Sequence, residues 1–306
     1  MIAALAGGVG AARMLRGLLA VMPPADVTAV VNVGDDMTLH GLHISPDLDT
    51  VTYTLAGAVN PDTGWGLVGE TWQAMEALAR YGGQTWFRLG DRDLATHLYR
   101  TQRLAEGAGL ADVTAEITRA WGLSLRILPA TEDHCATFVD VVGEGELSFQ
   151  EYFVGRQHSV PAKAVRYEGA LAARPGPGVV DALIAAERIV VCPSNPLLSI
   201  GPILAVADIR ATVESRRSDT VAVSPIVAGA AIKGPADRLL TELGHESSVV
   251  GVARLYAPIV ATLVIDEADA DLASAVEAEG VRAVVAPTIM RGPDEAAALA
   301  RVVLAQ

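Results

Sequence analysis

Five short stretches of this chain carry residue types and spacings suited to phosphate and metal chemistry. The first is Gly7-Gly8-Val9-Gly10-Ala11-Ala12-Arg13. Glycines between a strand and a helix let the backbone approach a pyrophosphate, and the unpaired N–H groups at the helix start face the anion. The run departs from the dinucleotide fingerprint at its last glycine position, which is Arg13, and the Gly-Lys-Ser/Thr ending of a P-loop is absent. Gly7, Gly8 and Gly10 are therefore candidate nucleotide-binding residues, with a plain strand-to-helix turn as the alternative. In the second stretch, Asn32-Val33-Gly34-Asp35-Asp36, a strand should end, and an acid there could hold a ribose or cap the next segment. The third, Ser45-Pro46-Asp47-Leu48-Asp49-Thr50, sets two carboxylates two residues apart ahead of a helical run. Hard oxygen ligands of this kind suit Mg²⁺ shared with substrate phosphates, an ion that keeps waters and takes one or two carboxylates. Asp47 reads as a helix cap. Asp49 reads as the functional acid, in a polar turn where Asp49→Asn should remove turnover and leave the fold intact.

The fourth stretch, Trp86-Phe87-Arg88-Leu89-Gly90-Asp91-Arg92-Asp93, gathers aromatic and charged residues around a glycine turn, with His97 close behind. Such a turn can bind a flat heterocycle together with a phosphate. Asp93 and His97 are read as surface ion pairing, and Arg88 has a similar alternative in a surface pair with Asp91 or Asp93. In the fifth, Pro193-Ser194-Asn195-Pro196 precedes Ser199-Ile200-Gly201-Pro202. These rigid turns present Ser194 and Asn195 as a base or phosphate cradle, although proline turns are also ordinary punctuation. Ser224-Pro225-Ile226 and Lys233-Gly234-Pro235 repeat the idea at the next strand end.

The elements that must position these residues follow from periodicity. Residues 2–6 form a short apolar run, 11–22 carry Met14, Leu15, Leu18 and Leu19 at helical spacing, and 27–33 are rich in β-branched residues. The same rhythm returns at 188–192, 220–223, 261–265 and 281–285, the last ahead of a helix over 293–304. Strands alternating with helices predict an α/β fold, a Rossmann-like parallel sheet with helices on both faces. Helical segments fill 48–121, and candidate strands at 125–128, 137–142 and 164–167 mark a β-rich stretch. One domain over 1–306 is expected, carrying an inserted helical cap and β-rich subdomain around 48–170.

Thirty-six acidic residues against 23 basic give a net charge of −13. That balance disfavours nonspecific binding to nucleic acid or anionic membranes, so neither is an expected partner and phosphates must be caught locally. No apolar stretch approaches the roughly 20 residues of a membrane span, and Met1-Ile2-Ala3-Ala4-Leu5 carries no basic leader, so a cytoplasmic protein is expected. Cys135 and Cys192 sit in or beside apolar runs and read as core thiols, with neither a disulfide nor a zinc site implied.

Taken in order, the five stretches resemble the 2-phospho-L-lactate transferases of deazaflavin coenzyme F-420 biosynthesis, in particular the actinobacterial phosphoenolpyruvate transferase branch. The resemblance runs essentially end to end. It rests on Gly-Gly-Val-Gly at 7–10, Ile-Ser-Pro-Asp-Leu-Asp-Thr at 44–50, Leu-Gly-Asp-Arg-Asp-Leu-Ala-Thr-His at 89–97, Pro-Ser-Asn-Pro at 193–196 and Ala-Val-Ser-Pro-Ile at 222–226. It implies a Mg²⁺-dependent enzyme that moves a phosphorylated three-carbon acid from a guanosine diphosphate donor to the deazaflavin Fo, with GMP leaving. The implied donor is enolpyruvyl-diphospho-5'-guanosine and the product dehydro coenzyme F-420-0; the lactyl analogue would give F-420-0. By matching motif, Asp49 and Arg88 fall where the family binds Fo, with Asp49 also the catalytic and metal-contacting residue. Gly7, Gly8, Gly10, Ser194 and Asn195 fall where the nucleotide lies. The resemblance lends no firm role to Asp35, Asp36 or Lys233, and a homodimer is expected. Two rivals remain: a nicotinamide-dependent oxidoreductase, which the missing third glycine counts against, and a nonenzymatic guanine-nucleotide sensor.

Overall fold

The structure is a computed structural model and describes residues 1–306. Its central sheet has seven parallel strands, in spatial order Arg282–Val285, Thr262–Ile265, Thr220–Val223, Arg188–Val191, Ile2–Ala6, Val27–Val31 and Arg126–Pro129. Ile2–Ala6 and Val27–Val31 are buried along their whole length, as a parallel sheet covered on both faces requires. Successive strand residues point to opposite faces, so Ile2, Ala4 and Ala6 pack into one apolar core and Ala3 and Leu5 into the other. No single helix is long and apolar enough to cross a membrane. Both cysteines are free and buried, and burial pushes the Cys192 thiol up to about 12 and that of Cys135 to about 11, which leaves them inert.

Chain order reverses at the first strand, which pairs with Val27–Val31 on one side and with Arg188–Val191 on the other. The helix that follows the first strand, Gly8–Val21, packs into one core, whereas Gly201–Ala205 and Ala207–Ser215, after Arg188–Val191, pack into the other. The connections diverge and leave a crevice at the carboxyl ends of these two strands, the place where open α/β sheets bind ligands. The helix starts at Gly8, whose φ of +71° glycine adopts without strain. Ser194 Oγ donates to the Gly7 carbonyl at 2.8 Å, and a Cβ on Gly10 would lie 2.2 Å from the Pro193 carbonyl oxygen. Close packing of two turns, independent of any ligand, is thus a sufficient reason for glycine at position 10.

The inserted stretch is divided by the main sheet. Arg126–Pro129 is an edge strand of that sheet, in register with residues 28–31. The helices Pro46–Leu55, Gln73–Arg80, Asp93–Ala105 and Leu110–Ala120 precede it, and the antiparallel strands Ala136–Val141, Gly145–Ser148 and Ala162–Glu168 follow it. Periodicity marks a strand near 125–128 but carries no information about which sheet it joins.

Because position 10 abuts a backbone carbonyl, Gly10→Ala is expected to force the 193–196 turn away and to lower stability by about 1–3 kcal/mol. Chemical denaturation measures this, and an unchanged midpoint would show that the two turns are not locked together.

Candidate active site

A cavity of about 710 Å³ opens at the crevice, lined by Gly7, Gly8, Gly10, Ser194 and Asn195 on the sheet side and by Asp49 and Arg88 from the helical insertion. Every site residue predicted from the sequence therefore lines one space. Two of them also have structural tasks. The Ser194 hydroxyl is bonded to Gly7, and Asn195 Oδ1 accepts from the Leu197 and Leu198 N–H groups at 2.9 and 3.1 Å, capping the next helix.

Asn32 organises the sheet side. Its Nδ2 donates to Asp35 Oδ1 at 3.0 Å and to Asp47 Oδ2 at 2.9 Å, while its Oδ1 accepts from the Gly34 N–H at 2.8 Å. Ser45 occupies the cap position of Pro46–Leu55, so Asp47 lies inside the first turn and accepts instead from the Gly8 N–H. Asp35 and Asp47 both line the cavity. Burial pushes Asp35 well above the usual carboxylate range, and the charge of Asp47 adds to it. Burial likewise pushes Asp47 up to about 6, with the charge of Asp36 adding and the bonds from Asn32 and Gly8 opposing. Two buried acids that share one amide and have no cationic partner are short of positive charge, and their hard oxygens fit a divalent cation such as Mg²⁺. Asp36 is occupied elsewhere, accepting from Ser45 Oγ at 2.6 Å and lying 3.1 Å from His43 Nε2.

Asp49 is only 5% exposed and lies within the helix Pro46–Leu55. Both its oxygens are held by Arg100: Nη1 donates to Oδ2 at 3.1 Å and Nη2 to Oδ1. Arg100, itself 2% exposed, comes from Asp93–Ala105. Its Nη1 also lies 3.3 Å from His97 Nδ1, which makes that nitrogen the acceptor and assigns the ring proton to Nε2, 3.3 Å from Asp93 Oδ2. Tyr53 donates to Asp93 Oδ1 at 2.6 Å. Two expectations are corrected here. Asp49 is not in a polar turn, and Asp93 with His97, the latter 1% exposed, form no surface pair. The physical reason is periodicity: Asp93, His97 and Arg100 recur at i, i+4 and i+7 on one helix face, and that face is turned inward. The same spacing was the signal that could have found Arg100. Ligand atoms of Asp49, Asp93 and His97 lie within 4.8 Å of one another. With Asp49 already held by Arg100 and an imidazole nitrogen in the set, this cluster suits Mg²⁺ less well than Asp35 and Asp47 do.

Arg88 lies over the Trp72 ring, 4.1 Å from its centroid, so its planar fork is held in one orientation. Asp91 is not its partner, because that carboxylate accepts from Thr71 and from the N–H groups of Gln73 and Ala74 at the start of Gln73–Arg80. Phe87 beside it packs edge-on to Trp86, and Phe149 stacks on Phe153 at 5.2 Å. Phe87, Phe149 and Phe153 all line the cavity and offer faces to a flat ring system.

Residues 2–291 match the family described as 2-phospho-L-lactate transferase CofD. The chain is 46% identical over 305 residues to a phosphoenolpyruvate transferase of Streptomyces griseus, across 98% of this chain and 96% of that protein. It is 45% identical over 305 residues to a phosphoenolpyruvate transferase of Streptomyces coelicolor, with the same coverage of 98% and 96%. A phosphoenolpyruvate transferase of Mycolicibacterium smegmatis is 42% identical over 315 residues, 98% of this chain and 96% of that one. A solved structure of a UPF0052 family member from Bacillus halodurans superposes with a TM-score of 0.64 over 99% of this chain and 98% of that chain. At 15% identity, this is a likeness of fold.

Two outcomes follow from the charges. Asp47 holds its proton more tightly folded than unfolded, so stability falls as pH rises from the ordinary value of 3.8 to about 6 and stays reduced above it. In EDTA, Asp47→Asn is therefore expected to melt above wild type at pH 7.5 and to lose that advantage near pH 4; a variant melting no higher at pH 7.5 contradicts the assignment. Asp49→Asn strands the Arg100 charge and is expected to cost about 3–5 kcal/mol, most of which Asp49→Asn with Arg100→Gln should restore. Denaturant titrations of the single and double variants check this.

Proposed function

The chain belongs to the 2-phospho-L-lactate transferase CofD family of coenzyme F-420 biosynthesis, and on that premise we propose that it transfers a phosphoenolpyruvyl group from enolpyruvyl-diphospho-5'-guanosine to Fo. One observation carries the reading. A single cavity joins a crevice suited to a diphosphate, at the reversal of strand order, to an aromatic wall with an oriented guanidinium, suited to a tricyclic acceptor. Family membership sets aside the oxidoreductase and the nonenzymatic sensor.

Phosphoryl transfer asks the protein mainly for positioning and charge neutralisation, so no serine or cysteine nucleophile is needed. The terminal ribityl oxygen of Fo forms a bond to the phosphorus that carries the enolpyruvyl group. The bond from that phosphorus to the bridging oxygen breaks, and GMP leaves with the electron pair. Asp49, held rigid by Arg100, accepts a hydrogen bond from the attacking hydroxyl and orients it. Arg88 and the phenylalanine faces hold the deazaflavin ring. The glycine turn at Gly7 and Gly8 and the N–H groups that follow Gly8 in the first turn of Gly8–Val21, the Gly8 N–H itself being bonded to Asp47, receive the diphosphate. Asp35 and Asp47 are the residues that would hold Mg²⁺, which supplies neutralisation of the charge on the phosphate oxygens. The hydroxyl proton leaves to solvent or to an acid-base group beside the reacting oxygen.

Mass analysis of the product from purified protein, Fo, Mg²⁺ and each of the enolpyruvyl and lactyl donors tests the reading; dehydro coenzyme F-420-0 with GMP is expected, and no product with either donor overturns it. Within the same assay, Arg88→Ala is expected to raise the Michaelis constant for Fo roughly tenfold, about 1.4 kcal/mol of lost contact, and to leave that for the donor within about twofold. Arg88→Lys should fall between, since it keeps the charge without the planar fork. An unchanged Fo dependence would return Arg88 to a purely structural place over Trp72.

A further inference from the structure

Arg13 and Lys233 line the cavity and have no task in the scheme above. Arg13 lies on Gly8–Val21, one turn beyond Gly10, and Lys233 lies on the loop between Thr220–Val223 and Ala236–Glu242. Neither has a carboxylate partner. Arg13 Nη1 donates to the Met290 carbonyl at 3.4 Å, and Lys233 Nζ donates to the Thr63 carbonyl at 2.8 Å. In a chain of 36 acids and 23 bases, two facing cations without an acid run against composition. Burial first, and then the nearby Arg13 charge, hold the Lys233 ammonium below its usual value. Like charges left together are unfavourable unless an anion sits among them. The N–H groups of the 14-residue helix Gly8–Val21 face the same space and favour negative charge there. Arg13 brings a planar fork that matches phosphate oxygens, and Lys233 brings a compact charge on a flexible stem. The Lys233 contact also joins this loop to the helical insertion, to which Thr63 belongs.

We propose that Arg13 and Lys233 form the receptor for the diphosphate of the donor, closing around the oxygens that the glycine turn leaves uncovered. The identity of that anion as a nucleoside diphosphate rests on the reading given under the proposed function. Lys233 thereby couples the anion to the insertion that holds the acceptor, so an occupied donor site stiffens the wall of the acceptor site.

Calorimetric titrations of inorganic pyrophosphate, guanosine diphosphate and Fo into wild type, Arg13→Met, Lys233→Met and Lys233→Arg, in magnesium buffer, test the inference. Both anions should bind wild type and weaken tenfold or more in each Met variant. Lys233→Arg should lose less than threefold, while Fo affinity and melting temperature stay close to wild type. Equal affinity of wild type and the Met variants for both anions overturns the inference and leaves the guanosine reading standing. Pyrophosphate binding that is lost in the Met variants, with guanosine diphosphate bound no more tightly than pyrophosphate, supports the receptor and overturns the guanosine donor. Wild type that binds neither anion, or Met variants that lose Fo as well, overturns the inference.

Discussion

A guanidinium enclosed by helices must be neutralised, and Asp49 does this for Arg100. The acceptor side of the cavity depends on that one pair. It ties Asp93–Ala105 to Pro46–Leu55, and with the helix so placed His97, Asp93 and Tyr53 fall into one contiguous polar cluster, in which His97 Nε2 lies 3.3 Å from Asp93 Oδ2 and Tyr53 donates to Asp93 Oδ1. The turn that carries Arg88 leads directly into the same helix. Buried ion pairs contribute little net stability compared with well-packed apolar residues of similar size, so stability alone is a poor reason for this one. A fixed geometry is a better reason, because a bidentate pair specifies both the distance and the rotation between two helices.

The sheet side of the cavity has the opposite electrostatic character. Asp35 and Asp47 are acids without cations, while Arg13 and Lys233 are cations without acids. The protein alone leaves both sets unsatisfied. A metal ion and a diphosphate are the two groups that would satisfy them together, each supplying the charge that the other set lacks. In a chain of net charge −13, this local imbalance is what allows an anionic donor to be received. The acceptor side, by contrast, is internally neutral and presents aromatic faces, as a weakly charged ring system requires.

Much of the sheet could be read from local pattern, because each core strand is a short apolar run between turn residues and the period changes to helical immediately after it. Strand order could not be read this way: it depends on which runs pair, and Arg126–Pro129 looks like part of an insertion until its pairing with residues 28–31 is seen. The glycine turn and the 193–196 turn were legible because glycine and proline punctuate, yet the contact between Gly10 and Pro193 joins residues far apart in sequence. Asp49 was legible as important and misread in its surroundings. Pro46 at the first turn already marks a helix start, whereas nothing local marks Arg100, 51 residues on, as the partner, because a polar stripe on a helix is ordinarily a solvated face.

The central claim is that donor and acceptor occupy adjoining halves of one cavity at the same time. Calorimetric titration of Fo into protein saturated with guanosine diphosphate and Mg²⁺ tests it most directly. The account predicts that Fo binds the nucleotide-loaded protein with one-to-one stoichiometry and with affinity equal to or tighter than that for the free protein. Competitive loss of Fo affinity as guanosine diphosphate is raised would contradict it, because the two ligands would then share a single place.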